Sequence, residues 1–253
     1  MTLAIETMGL TQRFGNFCAV DGLDLRVERG KFYGFLGPNG AGKSTTIKML
    51  TGLLAATSGA VQILDHTLDG TDRDIEIKRR IGVVPENLAL FDNLTAREYL
   101  TFVGRMYLLP ITTVRERCQE LLVMMNLAQE EKKLVLEYSH GMKKKLALAA
   151  ALIANPNLLF LDEPFEGVDA VASRVLRDIL KRCVERGATV FLTSHVLEIV
   201  EKLCTDVGII AKGKLVYQGP MEQAQAAGSL EALFLKTVGS DNIEQQRLTW
   251  LEG

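Results

Sequence analysis

Gly37, Gly42, Lys43 and Ser44 stand in the spacing Gly-x-x-x-x-Gly-Lys-Ser, an arrangement that lets a chain wrap a polyphosphate. The glycines allow backbone amides to close around the anion, and a helix starting at Lys43 adds its partial positive charge. Gly37, Pro38, Asn39, Gly40, Ala41, Gly42, Lys43, Ser44 and Thr45 are the candidate phosphate contacts. Lys43 is expected to reach the β- and γ-phosphates, and the Ser44 hydroxyl to meet a Mg²⁺ ion. The chemistry implied is transfer of a nucleotide's terminal phosphoryl group, which a Gly-rich turn with an incidental lysine would not perform.

Such a loop needs a second strand that delivers a carboxylate, and Leu158-Leu159-Phe160-Leu161-Asp162 is an apolar run ending in one, with Glu163 next. Side chains alternate in direction along a strand, so the two acids can divide the work. Asp162 is expected to hold Mg²⁺ through water, and Glu163 to orient or deprotonate the attacking water. His195 follows the apolar run 190–194, at the carboxyl end of a strand where α/β proteins place ligands. Serine, histidine and acids occur together here, but no Gly-x-Ser-x-Gly elbow is present, so a hydrolase triad is a poor reading.

The elements that position these groups are legible in outline. Residues 3–36 read as strands, with Leu23, Leu25 and Val27 alternating with Asp24, Arg26 and Glu28. The phosphate loop sits between a strand at 32–36 and a helix at 43–53. Further strands are expected at 61–64 and 81–84, followed by helical signals over 95–154. Two capping boxes, Thr95 with Glu98 and Thr113 with Glu116, mark helix starts there. A buried strand at 158–161, a helix from about 169 to 185 with Gly187 beyond it, and a strand at 188–193 come next. Residues 207–211 and 214–217 flank a hairpin turn at Lys212-Gly213, and the polar remainder reads as helical.

Of 253 residues, 47% are hydrophobic and 24% charged, enough for one sizeable core without staples. The formal charge of −2 gives no strong pull toward DNA or an acidic membrane. Four scattered cysteines without a Cys-x-x-Cys pair suit reduced thiols and favour the cytosol. The most apolar segment, 146–154, falls well short of the roughly 20 residues that span a bilayer, and without a basic stretch followed by an apolar one near residue 1 a secretory signal is not expected.

Taken in order, these residues resemble the ABC-transporter ATPase family over about residues 3–220. After the phosphate loop come Val84-Pro85-Glu86, the helical stretch, Tyr138-Ser139-His140-Gly141-Met142, the acidic strand, Gly167-Val168-Asp169 and His195; these look like the family's Q-loop, signature, D-loop and switch histidine. The resemblance implies an α/β fold, with a P-loop NTPase (RecA-like) core, an antiparallel β subdomain and a helical insert. It implies an ATPase domain at 1–220 with the insert at about 90–154, and a C-terminal helical extension at 221–253. It further implies that Ser139 and Gly141 contact the γ-phosphate held by a second subunit, because the signature starts a helix. Two ATP molecules with Mg²⁺ would then lie in a homodimer or a heterodimer with a related ATPase subunit.

Phe14 occupies the position of the family's adenine-stacking aromatic, with Val20 nearby, and Asp169 belongs to the D-loop. The metal set implied is Ser44, Glu86 and Asp162; the catalytic set is Glu163, His195 and Lys43. Separate multi-span membrane subunits, no nucleic-acid partner and a position on the cytoplasmic face of the cell membrane are implied as well. Three departures stand out. The signature keeps only the serine and second glycine of Leu-Ser-Gly-Gly-Gln, a form similar to bacterial exporters with separate membrane subunits. Glu86 replaces the Q-loop glutamine, and Val168 replaces the commoner leucine. Lys143-Lys144-Lys145 is expected to be a solvated face rather than a nucleic-acid patch. Residues 88–91, with Leu94 and Tyr99, are either ordinary core or a groove for a membrane subunit's helix. Rival readings are a non-transport ATPase of the same family and a module that binds ATP without hydrolysing it.

Overall fold

The structure is a computed structural model that describes residues 2–226 and 228–239. The N-terminal third carries strands β1 (Leu3–Phe14), β2 (Phe17–Leu23), β3 (Arg26–Glu28) and β4 (Phe32–Leu36), helix α1 (Lys43–Leu50), strands β5 (Ser58–Ile63) and β6 (His66–Thr67), helix α2 (Asp74–Lys78) and strand β7 (Ile81–Val84). Helices α3 (Ala96–Met106), α4 (Ile111–Met124) and α5 (His140–Leu152) follow. The chain then runs through β8 (Leu158–Asp162), α6 (Ala170–Glu185), β9 (Thr189–Ser194), α7 (Leu197–Leu203), β10 (Asp206–Ala211), β11 (Lys214–Pro220), α8 (Met221–Ala226) and α9 (Leu230–Val238). The helical expectation for the last residues, 240–253, lies outside the described residues.

A six-stranded sheet, ordered β11-β10-β4-β9-β8-β7, forms the centre. It is parallel except for the β10–β11 hairpin. Every residue of β4, β8 and β9 is buried, as expected of parallel strands covered on both faces. Their alternate side chains feed two cores. Phe32, Leu36, Leu159, Leu161, Val190 and Leu192 pack toward α5 and α6. Tyr33, Phe35, Leu158, Phe160 and Phe191 face α1 and the antiparallel strands, where Tyr33 stacks on Phe191 at 5.5 Å between ring centroids.

The antiparallel sheet is built on the twelve-residue β1, which pairs with β2, β3 and β5. The single strand expected around residues 23–27 is interrupted. β2 runs beside the second half of β1 (Leu10 opposite Leu23) and β3 beside the first half (Leu3 opposite Glu28). At the break, Leu25 N–H donates to the Thr7 hydroxyl at 2.9 Å, so a side chain replaces a ladder bond.

Two helix expectations also change. The Thr95–Glu98 capping box forms as expected at α3. The Thr113–Glu116 box does not: the N-cap of α4 is Pro110, three residues earlier, whose fixed φ is already suited to a helix start, so Thr113 falls inside the first turn. α1 stops at Leu50 rather than 53, because Gly52 turns into the left-handed region at φ 67. Lys212 and Gly213 both take positive φ, 49 and 79, the conformation a tight two-residue hairpin turn requires.

Candidate functional site

β4 ends at Leu36 and the phosphate loop follows, gripped from two sides. A Cβ on Gly37 would sit 2.5 Å from the Ile210 carbonyl oxygen, and one on Gly42, at φ 109, would sit 2.5 Å from that of Ala19. Only glycine lets the loop pass between β10 and β2. Gly213 N–H also donates to the Ala41 carbonyl at 3.0 Å, so the hairpin expected at Lys212-Gly213 buttresses the loop from behind. Lys43 is 7% exposed; its Nζ donates to the carbonyls of Gly37 (2.7 Å) and Pro38 (3.3 Å) and lies 3.8 Å from Glu163 Oε1.

Asp162 and Thr193 are partners in the β8–β9 register. The Thr193 hydroxyl donates to Asp162 Oδ1 at 2.6 Å and accepts the Glu163 N–H at 3.0 Å. Beyond Asp162 the backbone enters the left-handed region at Glu163, φ 49. That turn aims the Glu163 carboxylate at two partners: Lys43, and the His195 ring, whose Nδ1 lies 3.0 Å from Glu163 Oε2. Ser44 Oγ donates to Glu86 Oε2 at 3.4 Å, so the Q-loop carboxylate meets the first turn of α1.

A cleft of about 420 Å³ collects these groups. Its walls include Phe14, Asn39, Gly40, Gly42, Lys43, Ser44, Thr45, Glu86, Glu163 and His195. Phe14 is 51% exposed, a ring free to stack on a base. Phe17, Ala19 and Glu166 also line the cleft; the sequence reading did not single them out. Val20 lies elsewhere: it is fully buried and backs Gly42, its Cγ2 3.2 Å from where a Cβ would stand there. Gly37 and Ala41 are buried on the loop's inner side, Pro38 is exposed outside the cleft lining, and Asp162 is buried.

Ser139, Gly141 and Asp169 are outside the cleft lining of their own chain. Ser139 caps α5, its Oγ accepting the Met142 N–H. Asp169 caps α6 by accepting from Val171 and Ala172, each at 2.9 Å. The Ala172 N–H is the main cause that holds its carboxyl below the usual carboxylate range.

Two further expectations resolve in detail. The lysine triplet is not one solvated face: Lys143 pairs with Asp92 at 2.9 Å, while Lys144 is buried at 3% exposure. Consecutive helical residues point about 100° apart, so one of the three faces inward. Leu88 and Leu90 are half-buried and pack against the core, but Phe91 is exposed and meets Tyr99 and Phe102 edge-on. Beside them, Val83, Pro85, Leu88, Tyr99 and Val103 line a groove of about 150 Å³. Thr193 and Lys144 were also missed from sequence, since their importance depends on which strand and loop they face.

With this geometry in hand, the profile of the ABC transporter family matches residues 20–166. The chain belongs to that family. It is an ATP-binding and ATP-hydrolysing cassette of a transporter, built on the P-loop NTPase fold. It is 37% identical over 235 residues, 93% of this chain and 71% of the relative, to the daunorubicin/doxorubicin resistance ATP-binding protein DrrA of Streptomyces peucetius. It is 40% identical over 223 residues, 88% of this chain and 71% of the relative, to the bacitracin transport ATP-binding protein BcrA of Bacillus licheniformis. Among solved structures it is similar to the dimeric bacterial ABC transporter cassette MJ0796, with TM-score 0.79 and 25% identity over 85% of this chain and 98% of that one. That cassette is also known in a post-hydrolysis state bound to ADP and Pi. ABC cassettes dimerise and work with membrane subunits. No helix of the described residues of this cassette is long and apolar enough to cross a membrane.

Proposed function

We propose that this cassette powers export through separate multi-span membrane subunits, hydrolysing ATP in a closed dimer on the cytoplasmic face of the cell membrane. Its similarity to resistance and transport ATP-binding proteins supports the direction. The partner cassette is either a second copy or a related ATPase subunit, and nucleic acid is not a ligand. The exposed aromatic patch at Phe91 and Phe102 beside the groove at Leu88 is the surface that receives a membrane subunit's helix.

The observation that carries the catalytic reading is the Glu163 carboxylate, fixed between Lys43 and His195 at the wall of the cleft. Phe14 stacks on the adenine. Loop amides from Gly37 to Thr45 and the Lys43 ammonium bind the phosphates. Glu163 takes a proton from the attacking water, and His195 keeps its carboxylate aimed. Ser139 and Gly141, at the start of α5, meet the terminal phosphate on the partner, and Asp169 lies at the facing D-loop.

The donor set near Ser44 fits Mg²⁺. The Ser44 hydroxyl lies beside the Glu86 carboxylate, and Asp162, buried at the end of β8, is the further carboxylate we assign to the ion; all are hard oxygen ligands. Among the described residues no cluster of three or more His, Cys, Asp or Glu makes a metal cage, and Mg²⁺ characteristically takes one or two carboxylates plus substrate phosphates. When bound, Mg²⁺ neutralises charge on the β- and γ-phosphate oxygens.

The test is steady-state ATPase assay of Glu163→Gln. Turnover is expected to fall by roughly 10²–10⁴ with ATP binding retained, the range for removal of a general base. Hydrolysis at the normal rate would remove Glu163 from that role.

A further inference from the structure

Lys144 lies three residues past Gly141 on α5, yet its side chain runs inward. The residue is 3% exposed and its Nζ donates to the main-chain carbonyl of Glu163 at 2.6 Å. Burial pushes the amine below the ordinary lysine range, while the charges of Glu166, Glu163, Asp162 and Glu86 oppose that shift. A buried ammonium is costly unless it is paired, and an apolar side chain of similar size would avoid the cost. Packing alone gives no reason for lysine here.

Glu163 gives one. A non-glycine residue in the left-handed region is strained, and such a conformation persists where its surroundings over-determine it. At Glu163, φ 49, the N–H is held by Thr193, the carboxylate by His195 and Lys43, and the carbonyl by Lys144 at 2.6 Å and more loosely by the Glu166 N–H at 3.3 Å. Of these anchors, only Lys144 comes from α5. The same helix start touches the following segment twice more. The His140 ring packs on Gly167, its Cδ2 3.0 Å from where a Cβ would stand, and Gly141 faces Asp169 Oδ2 at 3.7 Å on the same measure.

We propose that Lys144 is a positioning residue for hydrolysis: its bond to the Glu163 carbonyl holds the glutamate's backbone in the turn that aims its carboxylate, and ties that aim to the placement of α5. The inference rests on Glu163 being the base. α5 is the helix whose first residues, Ser139 and Gly141, meet the nucleotide on the partner, so docking of that helix end is relayed to Glu163 through a single bond. Lys144 does not line the cleft, so it sets the rate of the chemical step and not the affinity for ATP.

The experiment is ATPase kinetics with Mg-ATP on the full chain carrying Lys144→Met or Lys144→Arg, beside Glu163→Gln. For Lys144→Met, kcat is expected to fall about 10–100-fold, as for a misplaced catalytic group, with KM moving by less than about threefold. Lys144→Arg keeps a charged donor and is expected to recover roughly a third or more of the wild-type kcat. Thermal unfolding reports whether each variant folds; should Lys144→Met not fold, Lys144→Gln must give the same split between kcat and KM. A kcat within about twofold of wild type, a KM that rises as kcat falls, or an arginine variant as slow as the methionine one overturns the proposal. An inactive Glu163→Gln beside a normal Lys144→Met overturns Lys144 alone. A normal Glu163→Gln removes the base and this inference together.

Discussion

Thr193 joins the two acids of the site: its hydroxyl donates to Asp162 and accepts from the Glu163 backbone, at a position with no solvent exposure. Replacing it with valine keeps the shape but leaves the Glu163 N–H without its partner, and a buried unsatisfied donor costs about 1–3 kcal/mol. Thr193→Val is therefore expected to lower unfolding free energy by that amount in a urea titration and to slow ATP turnover as well, because Glu163 loses one of its anchors. Unchanged stability would mean that water replaces the hydroxyl. At the same scale, the exchange of the Q-loop glutamine for Glu86 is a change of charge. The amide donor is lost, but a carboxylate oxygen still lies 3.4 Å from Ser44 Oγ.

Strands and helices reach the site by their ends. β4, β8 and β9 run parallel and side by side, so the phosphate loop, Asp162 with Glu163, and His195 all emerge at one edge of the sheet, the carboxyl edge where ligands bind in such folds. The helices between 96 and 152 carry α5 to the same edge. Their entry is fixed by the capping box at α3, where the Thr95 side chain accepts from Glu98 N–H and Glu98 accepts from Thr95 N–H. The bonds to Thr95 hold the Glu98 carboxyl below the usual range. Thr95→Ala is expected to destabilise the fold by about 1 kcal/mol, lowering Tm by roughly 2–4 °C, with ATP turnover little changed; differential scanning calorimetry checks the first and the ATPase assay the second.

At the scale of the molecule, the proposed closed dimer would have each chain contribute two halves of different sites. The cleft presents the loop, Glu163 and His195, while Ser139 and Gly141 are outside its lining. A ligand that binds across two chains stabilises the pair by mass action. Glu163→Gln with Mg-ATP is therefore expected to elute at twice the monomer mass in gel filtration and to revert when nucleotide is removed. A monomeric elution at saturating ATP would count against a closed pair of identical chains and favour a related partner subunit.

The phosphate loop, the acidic strand end, His195 and their order could all be read from the sequence, because each is a local pattern whose chemistry depends on adjacent residues. The strand–loop–helix around Gly37, the strands expected at 158–161 and 188–193, found at Leu158–Asp162 and Thr189–Ser194, and the hairpin at Lys212-Gly213 were legible for the same reason: side-chain periodicity and glycine's conformational freedom act over a few residues. The break between β2 and β3, the start of α4 at Ile111, the inward turn of Lys144 and the role of Thr193 were not. Each depends on what lies opposite in space. Thr7 bonds Leu25 across the sheet, Asp162 meets Thr193 through strand register, and Lys144 meets Glu163 across 19 positions. The sequence settled which reacting groups the chain owns; only tertiary packing decided how they are aimed, because a hydrogen bond of 2.6–3.0 Å between distant residues exists only after the sheet and helices have closed around it.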